Sequence, residues 1–235
     1  MLRLDKFLCE MNIGSRSQVK TYLKQGFVTV NGKPVTKPET KVDENKDTVA
    51  FKGKPCVYRR YVYYMLNKPQ GVVSATQDNE CATVTELLKD TGYKDLFPVG
   101  RLDKDTEGLL LMTNDGELAH DLLSPKKHVK KVYYVELDKP FTHQDAFRLK
   151  EGIDIGECKK TLPASVELIT ENSIYLTITE GKFHQVKRMM NAVGNHVTYL
   201  KRISMGSLQL DETLGKGDYR ELTEEEIENL KQREL

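Results

Sequence analysis

Gly100-Arg101-Leu102-Asp103-Lys104-Asp105-Thr106-Glu107-Gly108 runs straight into Leu109-Leu110-Leu111-Met112. A charged loop bounded by glycines thus feeds a short apolar run of strand length. Asn114-Asp115-Gly116 then turns the chain into a helix over 117–123. Working outward, apolar and alternating patterns predict further strands at 61–66, 131–137, 164–169, 173–179, 196–200 and 208–210. Strands 164–169 and 173–179 pair through Glu171-Asn172, and Asn67-Lys68-Pro69-Gln70-Gly71 reads as a turn. Helices are expected at 83–89, 142–150, 184–193 and after Thr223, three of them opened by Thr83-x-x-Glu86, Thr142-x-x-Asp145 and Thr223-x-x-Glu226. Several strands follow one another without an intervening helix. The fold class is therefore α+β with a mixed or antiparallel sheet, not a doubly wound parallel one.

Toward the N-terminus the pattern changes. Leu4, Phe7, Leu8 and Met11 have helical spacing, with Gly14 as the stop. Ser15-x-x-Gln18 has the form of a capping box, and Val19, Tyr22 and Leu23 are the apolar face of a second helix that Gly26 closes. A strand over 27–30 meets Asn31-Gly32, the strongest short hairpin signal, and leads into 33–35. A further strand follows at 48–51. This gives a small unit of two helices and a β-hairpin over 1–56, a linker around 54–60, and a larger unit over 61–235.

Composition excludes several classes. Of 235 residues 38% are apolar, and the longest unbroken apolar stretch, 61–66, is far short of the ~18 residues that span a bilayer. No apolar segment of signal-peptide type follows Met1. The cysteines (9, 56, 81, 158) form no C-x-x-C pair, and the five histidines show no metal-ligand spacing, so no metal site is expected. Reduced thiols and a cytoplasmic location follow. No heptad asks for a partner, so a monomer without membrane contact is expected.

Net charge is only +1, but it is unevenly spread: residues 1–60 carry 13 basic and 6 acidic side chains, the other 175 carry 23 and 29. Arg3, Lys6, Arg16, Lys20 and Lys24 lie in the basic part. Arg16, Lys20 and Lys24 are four apart on one helix face, a row suited to phosphates or simply to solvent. A second positive island, Lys182, Lys187, Arg188, Lys201 and Arg202, has no acid after Glu180; it suits RNA or an acidic surface of the protein itself. In the 100–108 loop, cations beside a carboxylate favour its ionised form, as a nucleophile or base requires, although read alone such a mixture of charges fits an ordinary solvated loop better. The residues alone do not choose between Asp103 and Asp105. Nor do they choose between Tyr133 and Tyr134, which alternate across a strand beside Lys126, Lys127, Lys130 and Lys131.

The run R-L-D-K-F-L, G-x-S-R-S and G-x-V-x-V-N-G-K resembles the S4 domain, a small RNA-binding fold. That resemblance implies RNA contact through Arg3, Lys6, Arg16, Lys20, Lys24 and the Asn31 hairpin. N-K-P-Q-G-V (67–72), G-R-L-D (100–103), K-x-Y-Y-V (131–135) and H-Q-V-K-R-M (184–189) together resemble the RsuA-type pseudouridine synthases. V-G-N-H-V at 193–197 and the closing stretch from Gly217 look like the small-subunit branch.

The resemblance implies cofactor-free isomerisation of uridine to pseudouridine in 16S rRNA, at uridine 516, with the base flipped out. Its partner is ribosomal RNA, free or within a small-subunit assembly particle. It assigns Asp103 as nucleophile, Tyr133 as the stacking tyrosine and Lys187 as the basic partner of Asp103. Beside these, Arg101 holds either a phosphate or the Asp103 loop, and Lys182 and Arg188 of the positive island are further candidate RNA contacts. The competing readings are an S4-type assembly factor without catalysis, and a synthase for 23S rRNA.

Overall fold

The computed structural model describes residues 1–93 and 95–232. They fall into two compact units, Met1–Val62 with a short segment starting at Thr91, and Tyr63–Asp90 with the chain from Asp95 onward.

In the first unit, β1 (Leu2–Arg3) leads into α1 (Leu4–Glu10) and α2 (Arg16–Lys24), followed by β2 (Val28–Val30), β3 (Lys33–Pro34), β4 (Lys41–Val42), β5 (Val49–Phe51) and β6 (Lys54–Cys56). Ser15 and Gln18 form the expected capping box at the start of α2. The helix before it stops earlier than Gly14: Asn12 takes the left-handed conformation at φ 54°, which asparagine tolerates better than most residues. Leu4, Phe7 and Leu8 of α1 pack on Val19 and Leu23 of α2 and on Val28, Val42 and Val49 beneath them. Asn31 and Gly32 both have positive φ, the two-residue hairpin geometry that the pair signals. Lys52-Gly53 makes a second such turn. It folds Lys54–Cys56 back onto β5, so these residues are a strand of the sheet β3-β2-β5-β6 and not part of a linker.

The second unit contains β7 (Tyr63–Lys68), α3 (Val84–Leu87), β8 (Phe97–Pro98), β9 (Glu107–Thr113), α4 (Gly116–Leu123), β10 (Lys131–Leu137), α5 (His143–Lys150), β11 (Ser165–Thr170), β12 (Ser173–Ile178), α6 (Gln185–Ala192), β13 (Val197–Met205), β14 (Leu208–Gln209), β15 (Tyr219–Glu221) and α7 (Glu224–Lys231). Its sheet runs β11-β12-β10-β13-β9-β7-β15, with β8 added to β9 and β14 to β13. Among the described residues every pairing in it is antiparallel except β9 with β13, so the α+β, mixed-sheet expectation holds.

Two local expectations change. Thr83 stands at the N-cap of α3 but its side chain caps nothing, and the helix ends at Leu87. Asn67 and Lys68 are not turn residues. They complete β7 opposite Leu109 and Gly108, and Asn67 also exchanges backbone bonds with Gly217 and Asp218.

One sheet face is apolar: Met65, Leu109, Leu111 and Met205 pack against Leu118, Ala119 and Leu122 of α4 and Leu230 of α7. The other face carries the site. Lys68 stands opposite Gly108, Gly108 opposite Arg202, and Arg202 opposite Tyr133. Directly opposed residues point to the same side, so this row crosses four strands on one face. Gly108 (φ 100°) is where the two parallel strands close up: a Cβ there would lie 2.2 Å from the Arg202 carbonyl oxygen.

Candidate active site and nucleic-acid interface

The loop before β9 is pinned from below. Lys68 is fully buried, and its ammonium donates to the carbonyls of Pro69 (3.0 Å), Asp103 (3.0 Å), Lys104 (3.5 Å) and Thr106 (2.8 Å). Gly71 N–H adds a bond to the Lys104 carbonyl. Burial pushes the Lys68 pKa down to about 8, against the pull of the nearby carboxylates of Asp105, Asp103 and Glu107. Sequence reading passed over this lysine because it sat inside N-K-P-Q-G, a run of turn residues. The signal available was its place at the end of an apolar strand.

Above the loop, Lys187 on the first turn and a half of α6 reaches Asp103 Oδ2 at 3.1 Å and Asp105 Oδ1 at 2.5 Å. The expected Asp103–Lys187 pair is present, and Asp105 shares it. Asp103 is one quarter exposed, Asp105 about two thirds. Burial raises Asp105 and lowers Lys187, but the hydrogen bond and charge between them win: the carboxyl sits below its ordinary value and the ammonium above. His184 Nε2 lies 3.6 Å from Asp103 Oδ1. His184 is the N-cap of α6, held left-handed at φ 48°. Asp103 is thus a carboxylate flanked by an ammonium and an imidazole on a loop that cannot move freely, an arrangement suited to a nucleophile.

Tyr133 and Tyr134 separate as strand alternation requires. Tyr133 is buried on the face of Lys68 and Arg202. Tyr134 turns to the other side, where it meets Tyr175 and Tyr199 edge-on and donates to Glu136. Arg202 is 2% exposed and gives its Nε–H to the Leu109 carbonyl, while its Nη2 has no hydrogen-bond partner among the described residues. Lys131, buried two residues before Tyr133, is pushed down to about 8 by burial and by Arg202.

The cations suggested as RNA contacts sort by what they already hold. Arg16, Lys20 and Lys24 stand exposed on α2, opposite the buried Val19 and Leu23. Arg101 is exposed as well, with no hydrogen bond or ion pair among the described residues; the loop it borders is held by Lys68 instead. Arg3 is forked onto Asp5 (2.9 Å and 3.0 Å), and Lys6 reaches Glu10 at 3.6 Å. Asn31 spends its amide on Asp47 and on the Thr48 N–H. Lys182 donates to the Lys159 and Lys160 carbonyls. Arg188 binds the Ile155 and Phe183 carbonyls and Glu157. Both therefore tie the 155–160 segment to the entry of α6.

Residues 62–192 match the RNA pseudouridylate synthase family and residues 2–47 match the S4 domain. The chain is 52% identical to the uncharacterized RNA pseudouridine synthase YtzG of Bacillus subtilis, over 96% of this chain and 97% of that one. It is 42% identical to ribosomal small subunit pseudouridine synthase A of Vibrio cholerae, over 97% and 99%, and 42% identical to the Escherichia coli protein of that name, over 96% and 98%. A crystal structure of a pseudouridylate synthase superposes with a TM-score of 0.70 at 39% identity, covering 98% of this chain and all of the other. With an S4 domain at its N-terminus, the chain belongs to the RNA pseudouridylate synthase family.

Proposed function

We propose that this synthase isomerises a uridine of small-subunit ribosomal RNA, with Asp103 as its nucleophile. The observation that carries the assignment is the Asp103 carboxylate, held between Lys187 and His184 on the loop that Lys68 pins. The two relatives named for the small subunit support the substrate, and within 16S rRNA we propose uridine 516 as the target. The reaction breaks the N-glycosidic bond, turns the uracil and rejoins it through carbon; the proton leaving that carbon balances the one gained by nitrogen. A stacked base is out of reach of such a carboxylate, so the uridine must be extruded, and an aromatic surface repays part of the lost stacking. Tyr133, on the row that leads to the loop, is our candidate for that surface and for removal of the proton. Lys187 keeps Asp103 company in a pocket from which substrate excludes water, and Arg101, free at the loop's edge, is our candidate for a phosphate contact.

Asp103→Asn keeps the shape of the side chain and removes its charge. Pseudouridine formation, read by mass spectrometry of 16S rRNA, is expected to fall on the order of a thousand-fold or more while RNA affinity changes little. Product at the wild-type rate from this variant would overturn the nucleophile. Mapping pseudouridines in rRNA from cells lacking the protein tests the substrate: a site lost from 23S rRNA, or none lost, would overturn it.

A further inference from the structure

Phe183 is the most exposed of the described aromatic side chains, at 74%, yet it is not loose. Its carbonyl accepts from Arg188 Nη1 at 3.0 Å. The residue before it gives its N–H to Gln185 Oε1 at 2.8 Å, and Gln185 in turn donates to Glu180 at 2.9 Å. One face of the ring lies nearly parallel to the His184 imidazole, with centroids 3.8 Å apart and 20° between the planes. That imidazole is the one beside Asp103. An apolar ring exposed to water normally costs stability and is free to turn. Here the backbone on both sides is braced, and the stack leaves the far face open at the edge of the reacting carboxylate. A rigid aromatic with one open face binds planar partners at low entropic cost. The His184 that backs it reaches Asp103, and the family of this chain acts on RNA, so the planar partner that fits is a base of the substrate strand.

We propose that Phe183, backed by His184, is a stacking platform for a nucleobase that neighbours the target uridine. It holds the strand in place while the uridine turns into the pocket. The proposal rests on the RNA-isomerase reading above and adds a positioning residue to it.

The test uses the full chain and a synthetic RNA hairpin spanning the mapped pseudouridine. Phe183→Ala and Phe183→Leu are each expected to weaken binding about five- to a hundred-fold, the range for one base–aromatic stack, whereas Phe183→Trp keeps it. Because the chain contains no tryptophan, Phe183→Trp also gives a single tryptophan, excitable apart from the tyrosines, whose emission should be quenched when the hairpin binds. Replacing the stacked neighbour by an abasic nucleotide should cost the wild type the same factor and cost Phe183→Ala nothing more, a result that misfolding would not give. Binding by Phe183→Ala and Phe183→Leu within two-fold of wild type, or no abasic neighbour that erases the difference, would overturn the platform. If instead the wild type modifies no rRNA, it is the isomerase reading that fails, and the platform falls with it.

Discussion

At the scale of single residues, Lys68 sets the three N–H donors of a fully buried ammonium among four backbone carbonyls. Removing it takes a donor from each; Asp103 and Lys104 keep the Thr106 and Gly71 N–H groups, so the Pro69 and Thr106 carbonyls lose most, and each unsatisfied buried group costs roughly 1–3 kcal/mol. Lys68→Met is therefore expected to destabilise by at least about 2 kcal/mol and to lower kcat more than it raises KM, because the loop that carries Asp103 loses its support. Lys131 is the contrasting case. It is buried beside another cation, Arg202, and makes one long bond, to the Val129 carbonyl at 3.3 Å. Lys131→Met should cost less than about 1 kcal/mol, or stabilise. Both lysines have pKa values near 8 against an ordinary 10.5. Between those values the unfolded chain binds more protons than the folded one, so stability rises with pH across the window and is constant below it. Urea midpoints at pH 7 and pH 9.5 should show that rise in wild type and a smaller one in each variant. An unchanged rise in both variants would refute the assignment.

Among elements, the parallel contact of β9 with β13 depends on Gly108. A Cβ at this position would overlap the Arg202 carbonyl at 2.2 Å and the Arg202 nitrogen at 2.9 Å, and φ of 100° strains any other residue. Gly108→Ala is expected to cost about 3 kcal/mol or more and to give little soluble protein. Gly116, only eight residues on, opens α4 with no atom within 4 Å of its Cβ position and no positive φ. Gly116→Ala should be neutral or add about 0.5–1 kcal/mol, a pair that thermal melts separate cleanly. The contrast shows which features sequence reading reaches. Capping boxes at Ser15, Thr142 and Thr223 and the Asn31-Gly32 hairpin are local, and the structure has all of them. The parallel pairing joins residues 94 positions apart, and the strand character of Asn67 and Lys68 comes from partners at 108–109 and 217–218. No local pattern announces either. The same limit governs the site. G-R-L-D and H-Q-V-K mark Asp103 and Lys187 as chemically interesting, but the shared bridge to Asp105 and the loop support from Lys68 exist only once distant strands have met.

For the whole molecule the net charge of +1 describes nothing that a polyanion would meet. What matters is which cations remain free. Lys182 and Arg188 count as positive charge in the sequence, yet they serve carbonyls and Glu157. Arg16, Lys20 and Lys24 are exposed along α2, and each phosphate they neutralise would release counterions. Because unit boundaries fall after Val62 and recur at Thr91, cutting the chain at residue 56 would damage the first unit's own structure. Substitution on the surface of α2 tests its charge more cleanly. Changing Arg16, Lys20 and Lys24 together to Ala should leave the melting temperature within a few degrees, since none packs in the core. It should weaken rRNA binding at low salt and flatten the plot of log K against log[salt] by about 2–3, near 0.7–0.9 per phosphate contact. Lys182→Ala with Arg188→Ala should behave in the opposite way, lowering the melting temperature while changing the slope by less than about 1, because those charges are already occupied. An unchanged slope in the α2 variant would show that the row faces only solvent. A large change in the second variant would show that Lys182 and Arg188 leave their internal partners when RNA arrives.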